Sequence, residues 1–238
     1  MILMNILMIF AAGFGTRMRH LTEDMPKSLV QINGKPILYY NLEAAIKHGF
    51  DHIIINSHYK ADQIRSAVDA FITSHPNAPK ITILYEDPIL ETGGGVKNAL
   101  SLIESDYITT INSDIIIHSE QDFFSKLEES WNPKIMDFLI LIHQTNKALG
   151  YTGKGDFEMD QAGKLTLRPE GFDHYRYMHA GAQIFKTSLI ATGSSVTRVP
   201  LPGLEKVGYW TSDEVLDTGE LPDSIIVLGG GAIALEMA

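Results

Sequence analysis

Two cations, Arg17 and Lys27, follow a turn of small residues in the string Asn5 to Val30, NILMIFAAGFGTRMRHLTEDMPKSLV. Arginine offers a planar fork of donors and lysine a compact point charge, a combination suited to phosphate oxygens. The turn itself, Ala11, Ala12, Gly13, Phe14, Gly15 and Thr16, has little side-chain bulk at its start, so backbone N–H groups can approach an anion. Gly13 and Gly15 can take backbone angles closed to other residues. The chemistry this order of residues serves is that of a nucleoside polyphosphate, whose negative charge must be cradled in the ground state and balanced further as a leaving group departs. A glycine-x-glycine turn after a strand is also an ordinary tight turn, and it is the placement of the two cations that adds specificity.

Two further strings carry chemistry. Asn112-Ser113-Asp114 sits between YITTI and an apolar Ile115-Ile116-Ile117, where a carboxylate offers an oxygen ligand to a hard cation such as Mg²⁺. The same aspartate also suits a turn or a cap. In Leu90-Glu91-Thr92-Gly93-Gly94-Gly95-Val96 three glycines let the backbone pass flat against a base or phosphate, and a helix opening at Val96 would aim its N-terminal dipole at that space. A flexible connection would use the same glycines.

The elements that must position these residues alternate. Ile6 to Ala11 is a continuous apolar run suited to a strand buried on both faces. Ile37 to His48 places Leu38, Leu42, Ala45 and Ile46 at helical spacing and stops at Gly49. HIIIN at 52–56 reads as a strand, 61–72 as a helix through Ile64, Ala67, Val68 and Phe71, and 81–85 as a strand. A helix over 96–103 and a strand over 106–111 follow. This alternation predicts an α/β fold, a Rossmann-like, mostly parallel sheet flanked by helices. Ligands of such sheets lie at the carboxyl ends of the strands. Gly13 to Arg17, Asn56, Glu91 to Gly95 and Asn112 to Asp114 each follow a strand, so all four loops should converge on one edge.

Composition narrows the class of partner. Nineteen basic against 29 acidic residues give a formal charge of −10, which disfavours a broad nucleic-acid or anionic-membrane surface and leaves any nucleotide to local cations. The 238 residues contain no cysteine, which excludes disulfides, thiolate metal sites and cysteine nucleophiles. The histidines show no metal-ligand spacing. MILMNILMIFAAG is apolar like a secretory leader, but it lacks a basic leading segment and its small residues run directly into the Gly-Thr-Arg turn. With no run approaching the length of a membrane span, the expectation is a cytoplasmic enzyme.

FAAGFGTRM followed by MPKSLVQINGKPIL resembles the signature of the sugar-phosphate nucleotidyltransferases, AAGxGTRM and PKxLxxxxGKPxL. It differs from the Walker loop, lacking GK[ST], and from the dinucleotide fingerprint, with Met18 at the third glycine position. The resemblance covers about residues 6–190. It implies the nucleotide-diphospho-sugar transferase type of fold and transfer of a nucleoside monophosphate from an NTP to a sugar 1-phosphate with loss of pyrophosphate. It further implies that Arg17 and Lys27 act on the phosphates and that Asp114 is a ligand of Mg²⁺. Ala11, Ala12, Gly13, Gly15, Thr16, Asn56, Glu91, Gly93 and Gly94 would then surround the nucleotide.

The form LETGGGxxxAL is similar to the nucleobase loop of the branch acting on N-acetylmuramate 1-phosphate, which uses UTP and serves the cell wall. Gly153 to Phe157 with Gly163 to Leu165 resembles that branch's GxGDFxLxxxGxL segment, an outer sheet over the sugar. Asp156 and Glu170 would accept from sugar hydroxyls, or serve as hairpin residues. AGAQIF at 180–185 resembles a strand that lines the sugar pocket through its glycine, here Gly181.

The resemblance predicts a domain over residues 1–187 and an atypical tail over 188–238. The family's W-x-D-x-G-T-P string, whose aspartate is a second Mg²⁺ ligand, is missing. Its loss leaves a second reading, a nucleotide-binding module with impaired catalysis, unless Asp213 or Asp217 substitutes. The tail, with ATGS, PGL, TSDE and GGGAIALE, instead resembles an internal piece of the pyridine-nucleotide disulfide oxidoreductases. Ser224 to Leu228 reads as a strand and Gly229 to Ala234 as GxGxxA, but too few residues follow for a dinucleotide site, and a redox disulfide needs cysteine. A chimeric join, or a replacement that adds a strand and a short helix, would account for it.

Overall fold

The computed structural model describes residues 5–161, 163–167 and 174–188, with Thr16, Arg17 and Arg19 described through their backbone alone. Glu170, Asp213, Asp217 and the strand and glycine string expected over 224–234 lie outside the described residues.

The chain begins with β1 (Ile6–Phe10), 3-10 turns over Thr16–Thr22 and Lys27–Leu29, and a hairpin of β2 (Gln31–Ile32) and β3 (Lys35–Pro36). Asn33 and Gly34 both lie in the left-handed region, φ 52 and 74, which suits a two-residue hairpin turn. Then come α1 (Ile37–His48), β4 (His52–Ser57), α2 (Ala61–Ser74), β5 (Lys80–Tyr85), α3 (Glu91–Ala99) and β6 (Tyr107–Asn112). The last described elements are α4 (Phe123–Ser130), β7 (Phe138–Gln144), β8 (Phe157–Met159), β9 (Leu165–Leu167) and β10 (Tyr177–Lys186).

One eight-stranded sheet runs β5-β4-β1-β6-β10-β8-β9, with β7 also paired to β10. β5, β4, β1 and β6 are parallel, whereas β10 joins β6 antiparallel and carries β7 and β8 antiparallel in turn. The sheet is therefore mixed: β5-β4-β1-β6 form the parallel half that the strand-helix alternation implies, and β10 with β7, β8 and β9 form an antiparallel half. Among the described residues no helix is long and apolar enough to cross a membrane.

Alternate residues of β1 explain why its apolar run is unbroken. Leu7 and Ile9 pack with α1, α2 and α4 through Leu38, Leu42, Ile64, Phe71 and Phe124, while Ile6 and Met8 face Val96 and Ala99 of α3. Both sets are buried, so neither face can carry a polar residue. α1 ends where the sequence stops it: Gly49 has φ 96 and donates its N–H to the Ala45 carbonyl at 3.1 Å.

α3 departs from the sequence expectation. The glycines 93–95, read as a loop before a helix starting at Val96, lie within the helix, which opens at Glu91. Helix propensity argues against three successive glycines, but packing overrides it. A Cβ on Gly95 would come 2.8 Å from Glu86 Oε1 and 2.9 Å from Asn56 Nδ2, both buried, so only glycine lets this helix lie so close to the strand ends.

Candidate functional site

The parallel order brings the loops after β1, β4, β5 and β6 to the same edge of the sheet, as anticipated. The loop after β1 is braced throughout. Gly15 has φ +69, and a Cβ there would lie 3.0 Å from Lys27 Cβ and from Thr22 Cγ2. Its carbonyl accepts the Thr22 hydroxyl at 2.9 Å and the Met18 N–H at 2.9 Å. Tyr59, from the turn before α2, donates its hydroxyl to the Thr22 and Glu23 carbonyls. The ring of Phe14 meets those of His58 and Tyr59 at 5.3 and 5.8 Å.

Lys27 reaches over this loop. Its Cε and Nζ would stand 3.5 and 3.6 Å from a Cβ on Gly13, and its ammonium donates to Asp114 Oδ2 at 3.0 Å. Both side chains keep partial access to water, 22% for Lys27 and 30% for Asp114. Asp114 is aimed by its own turn: the Ser113 N–H donates to the Phe10 carbonyl at 3.2 Å, and Asn41 Nδ2 on α1 donates to the Asn112 carbonyl at 3.3 Å. A cation and a carboxylate far apart in the sequence thus meet above a glycine at the strand ends. That arrangement can hold a phosphate against the ammonium and a hard cation against the carboxylate.

Asn56 faces inward and is buried. Its Oδ1 accepts the Ala11 N–H at 2.7 Å, and its Nδ2 donates to Glu86 Oε1 at 2.8 Å. Glu86 Oε2 accepts the Leu90 N–H, at the head of α3, at 3.1 Å. Glu91 follows as the first residue of α3, exposed and with φ 56, and Gly93 and Gly94 occupy the turn behind it. Glu86 does not figure among the residues expected from the sequence. Its signal is an acid immediately after the strand KITILY, at a strand end equivalent to Asn56 and Asn112.

The residues expected on the sugar side come from the antiparallel half. Gly181 has φ +82 and lies where the pairing of β10 with β7 shifts register between His179 and Gln183. A Cβ there would collide with Ile115, the residue after Asp114, and would sit 3.5 Å from Asn112 Cβ. Gly181 therefore closes onto the same turn that presents Asp114. Asp156 precedes β8, and its Oδ2 accepts the His179 N–H at 2.9 Å, which fixes one edge of that bulge. Burial pushes the His179 imidazole below its ordinary 6.5, against the opposing pull of Asp156 and the Ala182 backbone.

A second ionic cluster, its two carboxylates partly open to water, lies at the C-terminal end of α1. The buried His48 imidazole bridges Asp122 Oδ2 at 2.7 Å and Glu128 Oε1 at 3.1 Å, and Asn5 Nδ2 donates to Glu128 at 2.8 Å. Its residues come from the segment before β1, from the end of α1 and from α4 with its N-cap, which explains why spacing along the chain gives no hint of it.

The nucleotidyl transferase family model matches residues 6–221 of this chain. The match takes in much of the segment whose strings resemble an oxidoreductase, and that second resemblance gains no support from it. The N-acetylmuramate alpha-1-phosphate uridylyltransferase of Caulobacter vibrioides is 32% identical over 191 residues, 79% of this chain and 78% of that protein. The crystal structure of HddC from Yersinia pseudotuberculosis complexed with GMP-PN superposes with a TM-score of 0.61 at 29% identity, covering 79% of each chain. A UDP-glucose pyrophosphorylase complexed with UDP-glucose has the same TM-score, 0.61, at 18% identity over 79% of this chain and 78% of its own, a likeness of fold alone.

Proposed function

The chain belongs to the nucleotidyl transferase family, and on that footing we propose that it transfers a nucleoside monophosphate from an NTP, UTP foremost, to a sugar 1-phosphate. A phosphate oxygen of the sugar phosphate attacks the α-phosphorus, the new O–P bond forms as the bond to pyrophosphate breaks, and little covalent chemistry is asked of the protein. The observation that carries this reading is the meeting of Lys27 and Asp114, 3.0 Å apart, above Gly13. The preference for UTP and for a sugar of the N-acetylmuramate kind draws on the Caulobacter relative.

In this reading Lys27 donates to phosphoryl oxygens, and Arg17 balances the departing pyrophosphate. The Ala11 N–H is already donated inward to Asn56, so backbone contacts to the phosphates fall to Ala12, Gly13 and the residues after them. Gly181 and Asp156 shape the sugar side. Mg²⁺ fits the donor set: it takes one or two carboxylates and completes its shell with substrate oxygens and water, and Asp114 supplies one partly exposed carboxylate beside the phosphate loop. When bound it polarises the phosphate oxygens and offsets their charge. Asp114 would hold it, and in doing so would release Lys27 to the phosphates.

A second reading, nucleotide binding without turnover, rests on the missing W-x-D-x-G-T-P string and the second carboxylate it would bring to the metal. Release of pyrophosphate from a panel of NTPs with N-acetylmuramate 1-phosphate and other sugar 1-phosphates in Mg²⁺ separates the two. Turnover requiring both substrates is expected. Nucleotide binding with no pyrophosphate from any pair would sink the enzyme reading and leave the second one standing.

A further inference from the structure

We propose that Glu86 is a positioning residue that sets the two halves of the nucleotide site at a fixed distance from one another, an inference that rests on the nucleotide transfer proposed above. Glu86 is 1% exposed and Asn56 3%, so neither is available to a ligand. Each oxygen of the carboxylate holds a different part of the site. Oε1 takes the Asn56 amide, whose own oxygen holds the Ala11 N–H at the root of the phosphate loop; Oε2 takes the Leu90 N–H at the head of α3. The Glu86 backbone adds a third tie, because its carbonyl meets His58 Nδ1 at 2.8 Å and the His58 ring carries Phe14 at the loop's tip.

Only a carboxylate can do this. It presents two acceptors and no donor, and the Asn56 amide and the Leu90 N–H are both donors toward it. Gly95 completes the device, since its missing side chain admits the helix onto Glu86 Oε1. The loop that meets the phosphates and the helix that opens beside them therefore move together.

Glu86→Gln is nearly isosteric but retains one acceptor, so one of the two arms must face a donor. In the full chain, binding of UTP, CTP, GTP, ATP and dTTP with Mg²⁺ is measured by calorimetry, alongside the melting temperature without nucleotide. The expected result is an NTP Kd raised about tenfold, the equivalent of one lost charge-assisted bond, in a protein that still melts cooperatively. Asn56→Asp keeps the proposal testable if Glu86→Gln fails to fold. It sets a second carboxylate against Glu86, and one of the two must take a proton to restore the bond.

The ratio of the Asn56→Asp Kd to that of wild type should then fall as the pH is lowered from about 8 to about 5. His58 and Tyr85, stacked beside these strand ends, are common to both proteins, so the ratio isolates the new pair. A folded Glu86→Gln protein that binds NTP as wild type does, or an Asn56→Asp ratio independent of pH, overturns this inference and leaves the proposed function intact. A wild-type chain that binds none of the five nucleotides overturns both.

Discussion

Replacing Gly181 with alanine tests how tightly β10 is closed onto the turn that presents Asp114. Two costs add. An alanine at φ +82 takes a left-handed conformation, worth about 1–2 kcal/mol. Its Cβ also collides with the end of the Ile115 side chain, and overpacking of a filled site costs about 1–3 kcal/mol. The expected loss is therefore about 2–5 kcal/mol. Gly49→Ala calibrates the first part, because Gly49 has φ +96 with nothing within 4 Å of its would-be Cβ, and it should lose about 1–2 kcal/mol.

Ile115→Val removes the colliding methyl, so in the double variant Gly181→Ala should cost less by the overpacking part alone, a coupling of about 1–3 kcal/mol. Urea midpoints at constant m-value report wild type and the four variants. If Gly181→Ala cost no more than Gly49→Ala, or if Ile115→Val gave no recovery, the argument that glycine is required there by close approach would be refuted.

The His48 cluster should make stability depend on pH with a defined sign. Burial pushes the His48 imidazole down, but hydrogen bonds and charge from Asp122 and Glu128 outweigh it and hold the group above its ordinary 6.5. Burial likewise raises the Asp122 carboxyl, and its bonds to His48, Ser125 and the Phe124 N–H carry it below its ordinary 3.8. The histidine's contribution is full below pH 6.5 and lost as pH rises through the raised value, whereas the aspartate's is full above 3.8 and lost as pH falls through the depressed one. The loss of urea midpoint caused by His48→Gln should thus be largest between pH 3.8 and 6.5 and shrink as pH rises through the raised His48 value; a loss that stays the same across that range would contradict the assignment.

Lys27→Met and Asp114→Asn should each lower kcat/KM about 10²–10³-fold, while melting temperatures stay close to wild type because a partly exposed ion pair contributes about 0–1 kcal/mol. Gly95→Ala gains about 1 kcal/mol of helix propensity and loses about 1–3 to overpacking, so a net loss of up to about 2 kcal/mol in a denaturation titration is expected, with weaker NTP binding by calorimetry.

The parallel half of the sheet is legible in the chain because β1 and β4 are buried on both faces, and because Gly49 ends α1 by the conformation that only its residue type takes easily. The meeting of Lys27 with Asp114 follows once the strand order is known, since each sits just past a strand or its loop. What the chain conceals is whatever a distant partner decides. Three glycines read as a loop until Glu86 and Asn56 are seen beneath Gly95, where contact rather than propensity chooses the residue. Glu86 itself looks like a solvated acid after a strand, and nothing local says that two donors from different loops converge on it. His48, with partners just before β1 and on α4 and its N-cap, is concealed in the same way.

The place of β1 between two parallel partners has a consequence for how the chain is made. Its partner on one side, β4, pairs Leu7 with Ile53, but its partner on the other side, β6, pairs Leu7 with Thr109, about a hundred residues later. At a synthesis rate of roughly 5–20 residues per second, this apolar strand emerges and then waits on the order of 5–20 s before its second edge can be covered. During that interval a fully hydrophobic strand with free backbone donors and acceptors is exposed on the nascent chain. The feature that lets β1 be buried between two parallel partners in the finished sheet makes it an aggregation-prone segment of the unfinished one.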